Sequence, residues 1–298
     1  MALQKCAVNT NSEFKEMQPH GTSAFPCAGY ENVITGRIED DVAWHCHDEI
    51  EVIVILNGTL ELQIPSERIV LSEGEMAVLN GNTLHSVVGK PKGVLQSMVF
   101  SPLLIAGNAE SVFYKKYVLP LISCDHFVCT LFGREETALV ERFRSAFADL
   151  KNDAFGYEFK AREVLSEILL RVYEREGAYL NGEQKTTNAD MLRLTTMLHY
   201  IQQHYLEETM LADIANAANI STREALRCFK RTIGESPVQY LLKFRLMQSA
   251  EMLVQQPQES ISAVSAANGF DSPAYYTKKF RELYLCTPRE YRKNKAVE

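Results

Sequence analysis

The spacing of apolar and polar positions divides the chain into two regimes. Up to about Phe100 the apolar residues fall in short β-branched or alternating runs: Glu51-Val-Ile-Val-Ile-Leu56, Thr59-Leu-Glu-Leu-Gln-Ile64 and Met76-Ala-Val-Leu79. Asn57-Gly58, Pro65-Ser66, Glu73-Gly74 and Asn80-Gly81 stand between or after these runs as turn signals. Short strands so closely spaced predict an antiparallel sandwich or barrel. After Pro102 the period changes. Between about 135 and 176, Leu139, Phe143, Phe147 and Leu150 share one helical face, and Val164, Ile168, Leu169 and Val172 share another. Two amphipathic helices follow, whose stripe either packs on the barrel or forms a dimer face. Polar residues around Asn181-Gly182 predict a linker at 181–189. The fold class is α+β: a β-rich region with two amphipathic helices over 1–180, the linker, and an all-α region over 190–298.

The all-α region contains an internal duplication. Leu211 and Ile214 recur as Ile261 and Val264, 50 residues on. Ser221, Arg227, Phe229, Pro237 and Tyr240 recur as Ser272, Lys278, Phe280, Pro288 and Tyr291, 51 residues on, so one residue is inserted in the second turn. Each copy has a short helix rich in small residues, then a tight turn at Asn219 or Asn268-Gly269. Ser221 or Ser272 is placed to cap the next helix, which carries the aromatic anchor Phe229 or Phe280. Ser236-Pro237 and Thr287-Pro288 start a further helix each time. This is a helix, a tight turn and a second helix, the arrangement that presents the second helix to the DNA major groove. Two such units on one rigid linking helix predict contacts about 10 bp apart.

Charge agrees with that reading only when it is localised. The whole chain carries −7. From Ser221 to Glu298, however, 13 Lys and Arg face 8 Asp and Glu, a basic segment on an acidic body. Seven scattered cysteines, none in a CxxC pair, predict reduced thiols in a cytoplasm. No apolar run is long enough for a membrane span, and Met1 to Thr10 does not have the pattern of a secretory signal. No Gly-rich phosphate loop or nucleophile elbow is found, so a non-enzyme is expected.

The duplicated units, the Gly269-Phe270 turn, Phe280-Arg281 and the ending Thr287-Pro288-Arg-Glu-Tyr-Arg292 resemble the AraC/XylS family of transcription regulators. The resemblance spans roughly Ala189 to Lys295. It implies double-stranded DNA as partner, with RNA polymerase and a second copy of the chain as further partners. It also implies base-reading positions at Thr222, Arg223, Leu226 and Arg227 in the first unit. In the second unit they fall at Pro273, Ala274, Tyr275, Thr277 and Lys278. Arg can read guanine through paired donors, and Arg223 and Arg227 share a helix face. The second unit departs from the pattern, with Lys278 where Arg is common, and is expected to hold phosphates more than it reads bases. Lys230, Arg231, Lys279 and Arg281 read as solvated or backbone-contacting charges.

Upstream, His45-Cys-His47, Glu51 and His85 resemble the cupin pattern, and family members carry a cupin-like sensor domain before the DNA-binding part. Side chains two apart on a strand face the same way, so His45 and His47 can converge with Glu51 and His85. The resemblance implies a pocket for a small-molecule effector, a sugar or other small metabolite, lined by these four and needing no cofactor. In cupin enzymes the same four residue types hold a divalent metal, which keeps a metal reading open. Hydrogen-bonded core histidines are the plain alternative. Trp44 either stacks on a sugar or simply packs. Two other functions stand beside the ligand-responsive regulator. One is a metal-dependent cupin enzyme, which leaves the repeat unexplained. The other is a ligand-independent regulator whose first region only dimerises.

Overall fold

One long strand organises the first part of the molecule. The computed structural model describes every residue except 1, 7, 11–13, 66, 90–91, 125–126, 181–188, 233–234 and 296–298. The expected linker at 181–189 lies, but for Ala189, outside the described residues, as does Ser66. Two compact units are formed, one from Met1–Gly36 with Asp40–Thr187, the other containing Asn188–Glu298.

The first unit is an eight-stranded antiparallel arrangement: β1 Cys27–Ile34, β2 Val42–His45, β3 Ile50–Ile64, β4 Glu67–Ser72, β5 Met76–Leu79, β6 His85–Val88, β7 Gly93–Phe100 and β8 Cys129–Phe132. The turn expected at Asn57-Gly58 does not form. Both runs belong to β3, and Asn57 and Gly58 stay paired with Val94 and Gly93 across a register shift. Gly58 has φ +77°, and a Cβ there would lie 2.4 Å from the Lys92 carbonyl oxygen. The glycine therefore bends the strand rather than ending it. The first half of β3 pairs with β5 and β7, and the second half with β4 and β6, so β3 joins two sets of partner strands.

The continuous apolar run in β3 has a physical cause. Ile50, Val52 and Val54 face a helical layer, whereas Ile53 and Ile55 join Leu60, Leu62, Leu71 and Leu95 inside the barrel. A strand buried on both faces does not alternate. Glu51 shares the inward parity of Ile53.

The helical layer comprises α1 Leu103–Ala106, a π-helical turn at Tyr114–Val118, α2 Leu119–Ile122, α3 Thr137–Lys151 and α4 Tyr157–Leu180. Leu139, Phe143, Phe147 and Leu150 of α3, with Val164, Ile168, Leu169 and Val172 of α4, are buried in one core with Val52, Met98 and Phe100. The predicted stripe is consumed by packing on the sheet.

The second unit is helical: α5 Ala189–His204, α6 Leu211–Ala217, α7 Thr222–Thr232, α8 Pro237–Gln255, α9 Ile261–Ala267, α10 Pro273–Tyr284 and α11 Pro288–Lys295. The caps fall where the spacing predicts. Ser221 and Ser272 accept from the amides of Glu224 and Tyr275 at 3.2 and 3.3 Å. Ser236 and Gln239 close a reciprocal capping box at the start of α8, as Thr287 and Glu290 do before α11. No helix among the described residues is long and apolar enough to cross a membrane.

Candidate functional site

Two places gather functional side chains. In the second unit, α6–α7 and α9–α10 are the two helix pairs. On α7, Ala225, Cys228 and Phe229 are buried, which turns Thr222, Arg223, Leu226 and Arg227 outward together. Arg227 is held by Glu224 one turn earlier, and the other Glu224 oxygen stands 3.9 Å from Arg193 of α5. On α10, Tyr276 and Phe280 are buried, while Pro273, Ala274, Tyr275 and Lys278 are exposed and Thr277 is half-buried. The Thr277 hydroxyl donates to the Pro273 carbonyl at 2.8 Å and so is partly committed. Lys279 pairs with Glu282 at 2.7 Å and lies over the Tyr275 ring. Lys230 and Arg281 are exposed, and the Arg231 side chain lies outside the described residues.

The barrel site is built by three strands and a turn. His45 ends β2 directly opposite His85, which starts β6. His47 lies beyond the end of β2, and a bend at Asp48-Glu49 separates it from Glu51 on β3. Strand parity alone therefore does not bring His47 to Glu51; the bend does. All four side chains are buried, and one ligand atom from each lies within 4.8 Å of the others. Trp44, next to His45 on the strand, takes the opposite parity and is also buried.

The ring nitrogens are sorted. The Nδ1 atoms of His45, His47 and His85 lie 2.8, 3.0 and 2.8 Å from the carbonyl oxygens of Ala43, Glu49 and Thr83. A carbonyl can only accept, so each Nδ1 carries the hydrogen and each Nε2 faces inward. Nε2 of His47 and His85 stand 3.4 and 2.9 Å from the same Glu51 oxygen. His85 Nε2 nevertheless makes no hydrogen bond. Burial alone would raise the Glu51 carboxyl, but His47 and His85 beside it hold it well below the usual carboxylate range. Burial, reinforced by the neighbouring His85, holds the His45 imidazole well below its usual value, in the neutral form that binds metals. Imidazoles oriented through the far nitrogen around one carboxylate are a donor set that fits a divalent transition metal.

Comparisons with known proteins match both regions of the chain. A family model for an AraC-like ligand-binding domain matches residues 30–169, and one for a helix-turn-helix domain matches residues 214–294. The chain belongs to the AraC family of transcription regulators. It is 28% identical to the Bacillus subtilis HTH-type transcriptional regulator YdeC over 95% of this chain and 97% of that one. It is 24% identical to the probable transcriptional regulator LumQ of Photobacterium leiognathi over 85% of this chain and 93% of its relative. Solved ToxT from Vibrio cholerae is a loose likeness, with TM-score 0.41 and 13% identity over 90% of this chain and 98% of its own.

In this AraC-family chain the barrel site also holds residues that sequence reasoning missed. Glu16, His20, Tyr30 and Asn32 line the same cavity as His45, His47, Glu51 and His85. Glu16 and His20 come from an irregular N-terminal segment with no periodic pattern, so only their i, i+4 spacing was visible. Burial pushes the Glu16 carboxyl up to about 7; Glu51 and Glu49 add to the shift and His47 opposes it. Burial lowers His20 to about 4, with His47 and His85 adding to the effect.

Proposed function

We propose that this AraC-family regulator responds to a divalent transition-metal ion held by His45, His47, Glu51 and His85. One observation carries the reading: three buried imidazoles and one buried carboxylate bring ligand atoms within 4.8 Å of one another in a cavity of only about 30 Å³, with Nε2 of His47 and His85 facing Glu51. That volume admits one or two waters or an ion. Sites for sugars and similar metabolites usually span ~300–1,000 Å³. The cavity as it stands is therefore smaller than the space a sugar or similar metabolite usually fills. When bound, such an ion supplies positive charge and fixed coordination geometry. The chain's own residues then hold β2, β3 and β6 at a common centre.

For the DNA side, Thr222, Arg223, Leu226 and Arg227 are proposed to read bases. Ala274, Tyr275, Thr277 and Lys278 add weaker base contacts and a phosphate clamp. A homodimer is proposed through the outer face of α4, not through the predicted stripe. Phe159 and Leu170 are exposed there and line an apolar groove of about 610 Å³ with Phe113 and Tyr117. RNA polymerase as a partner and a cytoplasmic location accord with the family, and the seven cysteines are free thiols.

The test uses full-length protein stripped with chelator and a DNA site selected from a random pool. Restoring Zn²⁺ or Co²⁺ is expected to change affinity by roughly 5–150-fold. His85→Ala is expected to abolish that change while leaving binding of the metal-free protein intact. No response to any divalent ion would overturn the metal reading and return the effector to the metabolite class.

A further inference from the structure

The barrel centre has one carboxylate among its four closest donors. A dication held by three neutral imidazoles and Glu51 alone would keep a net positive charge among buried side chains, a costly arrangement. Among the described residues the one other acidic side chain lining that cavity is Glu16. Its side chain is 5% exposed, and its Oε2 stands 3.8 Å from His45 Nε2 and 3.5 Å from His20 Nε2.

The N-terminal segment is fastened to the residue between the two His ligands. The Glu16 amide donates to the Cys46 carbonyl and the Cys46 amide to the Phe14 carbonyl, each at 2.8 Å. Phe14 is buried beside them. His20 repeats the pattern of the ligand histidines. Tyr30 donates its hydroxyl hydrogen to Gln4 at 2.7 Å, so the Tyr30 oxygen accepts from His20 Nδ1, also at 2.7 Å. His20 Nε2 is therefore left with its lone pair, is buried, and has no hydrogen-bond partner. A lone pair facing a carboxylate at this distance calls for a proton or a cation between them.

From this arrangement we infer that Glu16 is the second carboxylate of the metal centre, with the His20 imidazole 3.5 Å away as its neighbour. The inference rests on the metal reading of the barrel site. Occupancy then ties the N-terminal segment to β2 through the ion as well as through the Cys46 backbone bonds. The donor set becomes three imidazoles and two carboxylates, which balances a dication.

The experiment titrates the full-length chain with Co²⁺, following its visible absorption and the heat of binding. Amide hydrogen exchange of Glu16 and Cys46 is measured with and without Co²⁺. Glu16→Gln is expected to weaken Co²⁺ binding by about 10–100-fold. It should also change the absorption band and remove the metal-induced slowing of the two amides. Glu16→Asp, which keeps the charge, should recover part of the affinity. His20→Asn should weaken binding less than Glu16→Gln. Equal affinity and spectrum in wild type and Glu16→Gln would overturn the role of Glu16 while leaving the four-residue site standing. Failure of the wild type to bind Co²⁺ would overturn both.

Discussion

The two helix-turn-helix units keep one backbone plan and differ in almost everything laid on it. Both have a serine cap and a buried phenylalanine on the second helix, at Ser221 and Phe229 or Ser272 and Phe280. Their cores differ. Phe280 sits in an aromatic cluster with Tyr276, Tyr284 and Tyr291 at ring separations of 4.5–5.6 Å. Phe229 meets the Tyr240 ring at a wider 6.1 Å. Their turns differ too. Asn219 takes φ +53° in the first, Gly269 takes +76° in the second. A Cβ at Gly269 would stand 2.8 Å from the Tyr205 carbonyl oxygen and 3.0 Å from Arg245 Nε. Arg245 in turn donates from Nε to that carbonyl at 2.6 Å and from Nη2 to the Glu207 carbonyl at 2.6 Å. The second turn is thus pressed against a bond joining α8 to the end of α5. Duplication preserves what local backbone geometry requires and frees what the two faces of each helix touch.

The largest expected effect tests the cores. Phe280→Ala and Phe229→Ala should each cost about 3–5 kcal/mol in urea unfolding, with Phe280→Ala the worse because it opens an aromatic cluster. A larger loss at Phe229 would reverse that ranking.

The reading faces come next. Arg223→Ala or Arg227→Ala should lose about 1–3 kcal/mol of discrimination between the selected DNA site and random DNA. Glu224 already fixes Arg227 on its helix face, so Glu224→Gln should relax discrimination in the same direction by less. Equal losses on both DNA types would demote Arg227 to a phosphate contact.

The turns separate the units by a smaller margin. Gly269→Ala should destabilise by at least the roughly 1–2 kcal/mol that a left-handed conformation costs an ordinary residue, before any contact with Tyr205 and Arg245. Asn219→Ala should cost less, because that position already carries a side chain. Thermal unfolding of the two variants decides it, and equal shifts would mean that the Arg245 contact adds nothing.

The smallest effect concerns Lys278. Its replacement by Ala should reduce the dependence of log affinity on log salt by about 0.9 and leave sequence preference unchanged. A change in preferred bases at the second half-site would make the two units equal readers after all.

How much was legible in the sequence follows from how local each feature is. The duplicated helices were readable because caps, αL turns and aromatic anchors act within a dozen residues. The inward set His45, His47, Glu51 and His85 was readable as a set, although the argument from strand parity was incomplete: His47 reaches Glu51 through the bend at Asp48-Glu49. Asn57-Gly58 carried a turn signal, yet pairing on both sides of β3 made it a bend instead. Glu16 and His20 were not legible, since nothing in a short irregular segment marks which strand it will lie against.

What the sequence by itself determined was the paired helix-turn-helix, the outward basic positions of α7 and the residue types of the barrel centre. Periodicity and capping are properties of neighbouring residues, and those survive in any fold that keeps the helices. Only the tertiary structure decided which face of α4 is left uncovered, how small the barrel cavity is, and that an N-terminal carboxylate comes to rest beside His45. Those outcomes depend on close packing between segments tens of residues apart, where two bonds to the Cys46 backbone settle what approaches the centre.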